Sequence, residues 1–355
     1  MADENRACPV KKTSIGGQAL IEGIMMRGPE KTAMAVRHIS GEIRMEEWPT
    51  ATAKRPKWMT VPFVRGMFSF IDSMISGYKS LMRSAELCGW EDELTADKPA
   101  EETAPAEETA PIEEAAPEKA ETMKERIEKK ASEGALTGGI MIVGTVLGVA
   151  LALFLFKVIP ETLYELFCKL VPAADGSGYG ASLLRAAFTG VLKILILVGY
   201  MAAVSLMKDI RRTFQYHGAE HKTIFCYEHG LELTVENVRA QRRFHPRCGT
   251  SFLILSVLVS VFVTMFIPAR LVPNAVLNVI VRTGIGLLLL PLIMGIGYEM
   301  IRLAGRKDNR LTRILSAPGV WLQHITTREP DDSMIECAIA ALTPVIPVDP
   351  EADNW

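Results

Sequence analysis

Four of the chain's six histidines fall in one stretch, RRTFQYHGAEHKTIFCYEHGLELTVENVRAQRRFHPRCGTSF, which begins at Arg211. Within it, His217, Glu220 and His221 form an H-x-x-E-H array. On a helix, imidazoles four residues apart leave the same face, about 5–6 Å apart at Cβ, and can converge on one ion. The carboxylate next to the second imidazole is placed to act as a general base, in the reverse order of the commoner H-E-x-x-H. His245 and Cys248 follow in one short loop. A catalytic zinc takes three protein ligands and keeps a position open, whereas a structural zinc takes four. His217, His221, His245 and Cys248 can furnish either set, with Cys226, Glu228 and His229 in reserve. Two other readings remain open from the residues alone: the histidines and arginines bind anionic lipid head groups at a membrane surface, or they are surface side chains with no ligand.

These residues need elements to bring them together. Residues 223–227 read as a short strand, and Thr234 reads as an N-cap opening a helix to Phe244. Upstream, 14–43 mixes glycine turns with short strand-like runs, which predicts a small β-rich unit. Residues 66–88 have helical period, with Met67, Phe70, Met74, Tyr78, Leu81 and Ala85 on one side and a largely polar opposite side. That amphipathic helix is expected to dock on the bundle, pack into a core or lie in a membrane interface.

The rest of the chain is dominated by apolar runs. Crossing about 30 Å of hydrocarbon takes roughly 20 mostly apolar residues, and four runs qualify: 136–159, 183–207, 251–268 and 283–301, the last with Pro291 as a kink. Lys193 lies near the middle of the second run, where it should face a partner such as Glu299 or a polar cavity; Arg185 and Arg282 lie where they can snorkel to an interface. Lys and Arg concentrate before the first run, between the second and third, and after the fourth. By the positive-inside rule those regions, and both termini, are cytoplasmic.

The near-neutral formal charge of -2 conceals this segregation. From 91 to 121 the chain is an acidic Pro/Ala tract, too poor in apolar residues to fold, and reads as a solvated linker. The six cysteines lack disulfide-framework spacing and read as reduced thiols. No cleavable signal peptide, P-loop, dinucleotide fingerprint or nucleophile elbow is visible. The basic loop hugs the membrane, so nucleic-acid binding is not expected. Together these features predict an α-helical membrane protein with about four transmembrane helices and a small mixed α/β cytoplasmic portion. Its parts are a β-rich N-terminal unit (1–65), an amphipathic helix (66–90) and an acidic linker with a basic lead-in (91–133). A first transmembrane hairpin (134–208), a His-rich cytoplasmic loop (209–250), a second hairpin (251–303) and a cytoplasmic C-terminal region (304–355) follow. In that last region, Asp331 and Asp332 mark a fresh helix start.

The segments GGQALIEGIMMRGP, PFVRGMFSFIDSMISGYKSLMRSAE, YHGAEHKTIFCYE, LTVENVR and HPRCGTSF, with REPDDSMIECAIAAL near the end, resemble the YqhQ-like family of bacterial polytopic membrane proteins. The resemblance implies a multi-pass bacterial plasma-membrane protein. Family members are sometimes described as predicted metal-dependent enzymes, a description that leans on the same His/Glu array. The expected function is a zinc-dependent hydrolase working at the cytoplasmic face on a lipid-linked or membrane-protein substrate, with Glu220 as base. The competing expectations are a scaffold or assembly factor stapled by structural zinc, and a lipid-handling or transport protein. With only four spans, the last would have to act as a homo-oligomer.

Overall fold

The computed structural model describes residues 11–50, 56–89, 143–176, 178–306, 309–349 and 352–353. The acidic linker and the start of the first apolar run lie outside the described residues.

Four strands, β1 (Gly16–Leu20), β2 (Gly23–Arg27), β3 (Lys31–Arg37) and β4 (Ile43–Pro49), form an antiparallel meander in the order β1-β2-β3-β4. β2 and β3 are buried nearly end to end, so they lack the in/out polarity of a strand with one wet face. Period-2 alternation divides their side chains between two layers. Ile24, Met26, Ala33 and Ala35 pack into one core with Tyr216, Met334, Ala338 and Leu342, whereas Leu20, Met25, Met34 and Val36 pack into another with Leu81, Leu87 and Cys88. The expected β-rich unit is therefore the middle layer of a sandwich of helices.

The layer against Leu81 and Leu87 is α1 (Val64–Leu87), the amphipathic helix expected at 66–88. Its first turns lie on the membrane-type bundle, where Gly66 lets the backbone approach Tyr298 and Arg65 pairs with Glu299 at 2.5 Å. Its later turns lie on the sheet. The helix is thus a strut between the two halves of the protein.

The bundle begins with α2 (Val143–Leu170), which carries one π-helical turn at Phe154–Val158, and α3 (Tyr179–Val204). α4 (Lys208–Glu228) and the short α5 (Val235–Arg239) belong to the sheet lobe. They are followed by α6 (Thr250–Thr264), α7 (Ala275–Leu288), α8 (Leu290–Arg306), α9 (Arg310–Thr326) and α10 (Asp332–Leu342). The last of these starts at the Asp331 cap and closes the second face of the sheet beside α4.

Among the described residues, two to three of the four expected spans take a membrane-crossing form. α2 and α3 are long and apolar enough to cross a membrane, and a third crossing is counted if α7 and α8, bent by 48°, are one broken span. The run at 251–268 yields a helix of 15 residues, about 22 Å long, short of the hydrocarbon thickness. It ends early because the chain turns at Pro268, whose carbonyl, with that of Ala269, accepts hydrogen bonds from Arg282 and Arg185. The break inside 283–301 falls at Leu289; Pro291 occupies the first turn of α8, where its missing N–H costs nothing.

The charged residues of the bundle also depart from expectation. Arg185 and Arg282 do not snorkel; both are buried, and both bond to Glu161. Lys193 does not meet Glu299, whose carboxylate is taken by Arg65. It lies in electrostatic reach of Glu161 and Lys157 instead.

Candidate metal site

The H-x-x-E-H array lies in the buried half of α4, and 223–227 continues that helix instead of forming a strand. Gly218 is one reason the helix sits so deep: a Cβ there would come 2.0 Å from the Arg328 carbonyl. Thr234 does cap a helix, accepting from the Asn237 N–H, but that helix ends at Arg239 rather than Phe244. The chain from 240 to 249 then folds back over α4, and this return brings the second half of the stretch to the first.

His217, His221 and Cys248 converge, with one ligand atom from each lying within 4.8 Å of the others. The Nδ1 of His217 lies 2.8 Å from the Thr326 carbonyl and that of His221 lies 2.6 Å from the Arg243 carbonyl. Only a protonated Nδ1 can satisfy a carbonyl, so in both rings Nδ1 carries a proton and Nε2 is the nitrogen turned to the site. The Nε2 of His217 is 3.2 Å from the Cys248 sulfur, and the buried Nε2 of His221 has no hydrogen-bond partner among the described residues. Two imidazoles locked at the far nitrogen, a thiol between them and an orphaned buried nitrogen fit a transition metal such as zinc.

Electrostatics prepare the thiol. Burial disfavours charge on both partners, yet the Cys248 thiolate lifts His217 to about 9, and the two histidines draw Cys248 well below its ordinary range. A thiolate is the form that binds metal.

His245 is not in the triad. Its ring is 5.6 Å from that of His221, but its Nε2 faces Glu228 at 3.5 Å and its Nδ1 accepts from the Arg247 N–H. Burial brings it down to about 4, so it is neutral at pH 7. Glu228 also accepts from the Thr13 N–H and pairs with Arg247. Burial alone would raise the Glu228 carboxyl, but its bond to His245 and the Arg247 charge bring it below the usual range. The reserves are spoken for as well: Cys226 turns to the Glu232 carbonyl and His229 to Gln241.

Glu220 stands beside the triad, 6% exposed, with its carboxylate packed against the Gly17 backbone of β1. Burial raises its carboxyl against the pull of His217 and His221. Glu220, His221, His245 and Cys248 line one side of a cleft of about 400 Å³, with β1 and Ser73 and Ser76 of α1 on the other.

Three supports were not foreseen from the sequence. Gln323 of α9, fully buried, clamps the His245 backbone by donating to its carbonyl and accepting from its N–H, each at 2.8 Å. The Thr326 carbonyl comes from the same helix. Gly17 has room for nothing more, since a Cβ there would sit 2.9 Å from the Glu220 carboxyl carbon. Only the Gly16-Gly17 pair carried a sequence signal, because glycine within a strand marks close approach.

Residues 61–348 match a family described as "Protein of unknown function (DUF1385)". The chain is also 32% identical over 335 residues to the uncharacterized protein YqhQ of Bacillus subtilis (strain 168), covering 93% of this chain and 92% of that one. No solved structure matches.

Proposed function

Starting from the chain's membership of the DUF1385 family, the YqhQ-like proteins, we propose that it is a membrane-embedded, metal-dependent hydrolase in which His217, His221 and Cys248 hold Zn²⁺ and Glu220 is the general base. The observation that carries this reading is the pair of imidazoles tied at Nδ1 to backbone carbonyls, with Cys248 between their other nitrogens. Three converging ligands beside a cleft favour a catalytic over a structural site, which would take a fourth. His245, the obvious fourth, is engaged with Glu228 instead.

Zinc held there would supply Lewis acidity toward a carbonyl or phosphoryl oxygen at neutral pH. The chain's own contribution is proton handling and positioning. Glu220 holds the proton of an attacking water on its carboxylate and returns it to the leaving group, with Gly17 fixing the carboxylate's direction. Arg27, Arg247 and the hydroxyls of Ser73 and Ser76 line the cleft and suit an ester, phosphoester or amide. Through Ser73 and Gly249 the cleft adjoins an apolar cavity of about 420 Å³ between α1, α6 and α8. That neighbour supports a substrate that is lipid-linked or itself embedded in the bilayer. The distribution of Lys and Arg supports a cytoplasmic position for the lobe and both termini.

Elemental analysis of detergent-purified protein tests the reading. About one zinc per chain is expected in the wild type, and none in the His217→Ala/His221→Ala variant. Glu220→Gln should keep its zinc and lose turnover by about 10²–10⁴-fold. Wild-type protein that stays metal-free after replenishment under reducing conditions would sink the proposal. Full activity in Glu220→Gln would remove the base.

A further inference from the structure

The bundle contains a second charged site that the hydrolase reading does not use. Glu161 and Glu165 of α2 face five cations: Arg185, Arg270, Arg282, Lys157 and Lys193. The three arginines take the carboxylates. Arg185 bonds Glu161 at 2.7 Å and Glu165 at 2.8 Å, and Arg282 bonds the same Glu161 oxygen at 3.1 Å. The other Glu165 oxygen accepts from Arg270, and Asn278 shares the first. Among the described residues no hydrogen bond or ion pair reaches either lysine ammonium. Both lysines lie in electrostatic reach of the over-subscribed Glu161 and of each other.

The two ammonium groups are nevertheless accommodated by design. Lys193 is 5% exposed. The Nζ of Lys157 nests against Gly286 of α7, where a Cβ would sit 2.7 Å away. Both lysines open on a cavity of about 400 Å³ among α2, α3, α6 and α8, otherwise lined by groups such as Phe156, Leu197, Val257 and Ile293. Ser256 and Ser260 line it too, but their hydroxyls return to carbonyls of their own helix. Unpaired cations at membrane depth are costly and mark ligand or ion pathways. The cavity therefore offers positive charge on one wall and hydrocarbon on the rest, at a volume near the low end for small-molecule sites.

We propose that this cavity binds a single-chain anionic amphiphile of the fatty-acid type, its carboxylate set between Lys157 and Lys193 and its chain along the apolar wall. The anion supplies the negative charge that Glu161 and Glu165 cannot. A cavity of this size suits one acyl chain rather than two. The proposal is independent of the zinc site.

The probe is palmitate bearing a photoreactive diazirine and an alkyne, added to the full chain in phosphatidylcholine nanodiscs. Labelling should fall on α2, α3, α6 or α8, be competed by palmitate, and be competed at least tenfold less well by hexadecanol, which has the same chain without the charge. Lys157→Met/Lys193→Met should lose at least nine-tenths of the labelling. Equal competition by hexadecanol would mean that the lysines are neutral and the cavity is only greasy, overturning the proposal. Undiminished labelling of the double variant would also overturn it. Should the double variant fail to fold, Val257→Trp fills the cavity while leaving both ammonium groups in place; it must lose labelling, and retention would refute the proposal. Zinc content measured in the same samples reports the other site separately.

Discussion

In the lobe, Glu228 stands against Arg247 and the neutral His245, and the Cys248 sulfur against His217, so these buried groups have counterparts within the fold. In the bundle, two carboxylates are shared among five cations, and both lysines are left to a cavity. In the lobe, backbone carbonyls orient both imidazoles in the fold itself. The bundle instead leaves a charge to be met from outside. The contrast teaches that buried ionisable groups divide into those the fold completes and those it leaves incomplete, and only the second kind calls for an exchangeable anion.

Several changes would break or sharpen this contrast. The largest effect is expected at the saturated core of the bundle's network. Arg185→Met takes from both carboxylates the cation they share, leaving Glu161 to Arg282 and Glu165 to Arg270, and should cost about 3–5 kcal/mol of stability, seen as a lower denaturation midpoint in detergent, while zinc content per folded chain stays unchanged. A loss of zinc would show that the two regions are not separate.

The lobe should respond to acid. His245 is held neutral, with its folded value near 4 against an ordinary 6.5, so between those values the unfolded state binds more protons. Stability therefore rises with pH across that window and is lost as pH falls through it, by up to about 3 kcal/mol. Glu228, depressed in the fold, adds to the loss in the same direction as it is protonated. Unfolding of metal-stripped protein at pH 7 and pH 5 should show the difference, and His245→Gln should reduce it, the depressed Cys248 keeping the remainder. A pH-independent midpoint in the wild type would contradict a neutral buried His245.

Gln323→Leu removes both bonds to the His245 backbone, and we expect about 2 kcal/mol of destabilisation. Because the same loop carries Cys248, zinc affinity should fall about 10–100-fold, measurable by competition with a chromophoric chelator. Unaltered affinity would mean that the loop holds Cys248 without the clamp. The smallest effect is expected from Gly17→Ala. The added methyl crowds Glu220 and should cost about 1 kcal/mol with zinc retained, sharpening the separation between the metal ligands and the base.

Much of this protein was legible in its residues. Apolar runs announced α2 and α3, the period of 66–88 announced α1, and Thr234 and Asp331 announced helix starts, because each depends on neighbours within a few positions. The i, i+4 spacing of His217 and His221 placed two imidazoles on one helix face for the same reason. What the sequence could not decide was which partner each of these groups meets. Cys248 joins the triad while His245, three residues away, turns to Glu228; the difference lies in how the 240–249 return packs on α4 and Gln323. Likewise the length of α6 and the fate of Arg185 depend on carbonyls and carboxylates that are more than 80 residues apart in one case and about 20 in the other. Periodicity is a local property of a chain, whereas pairing among buried charges depends on distances that only the packed structure brings about.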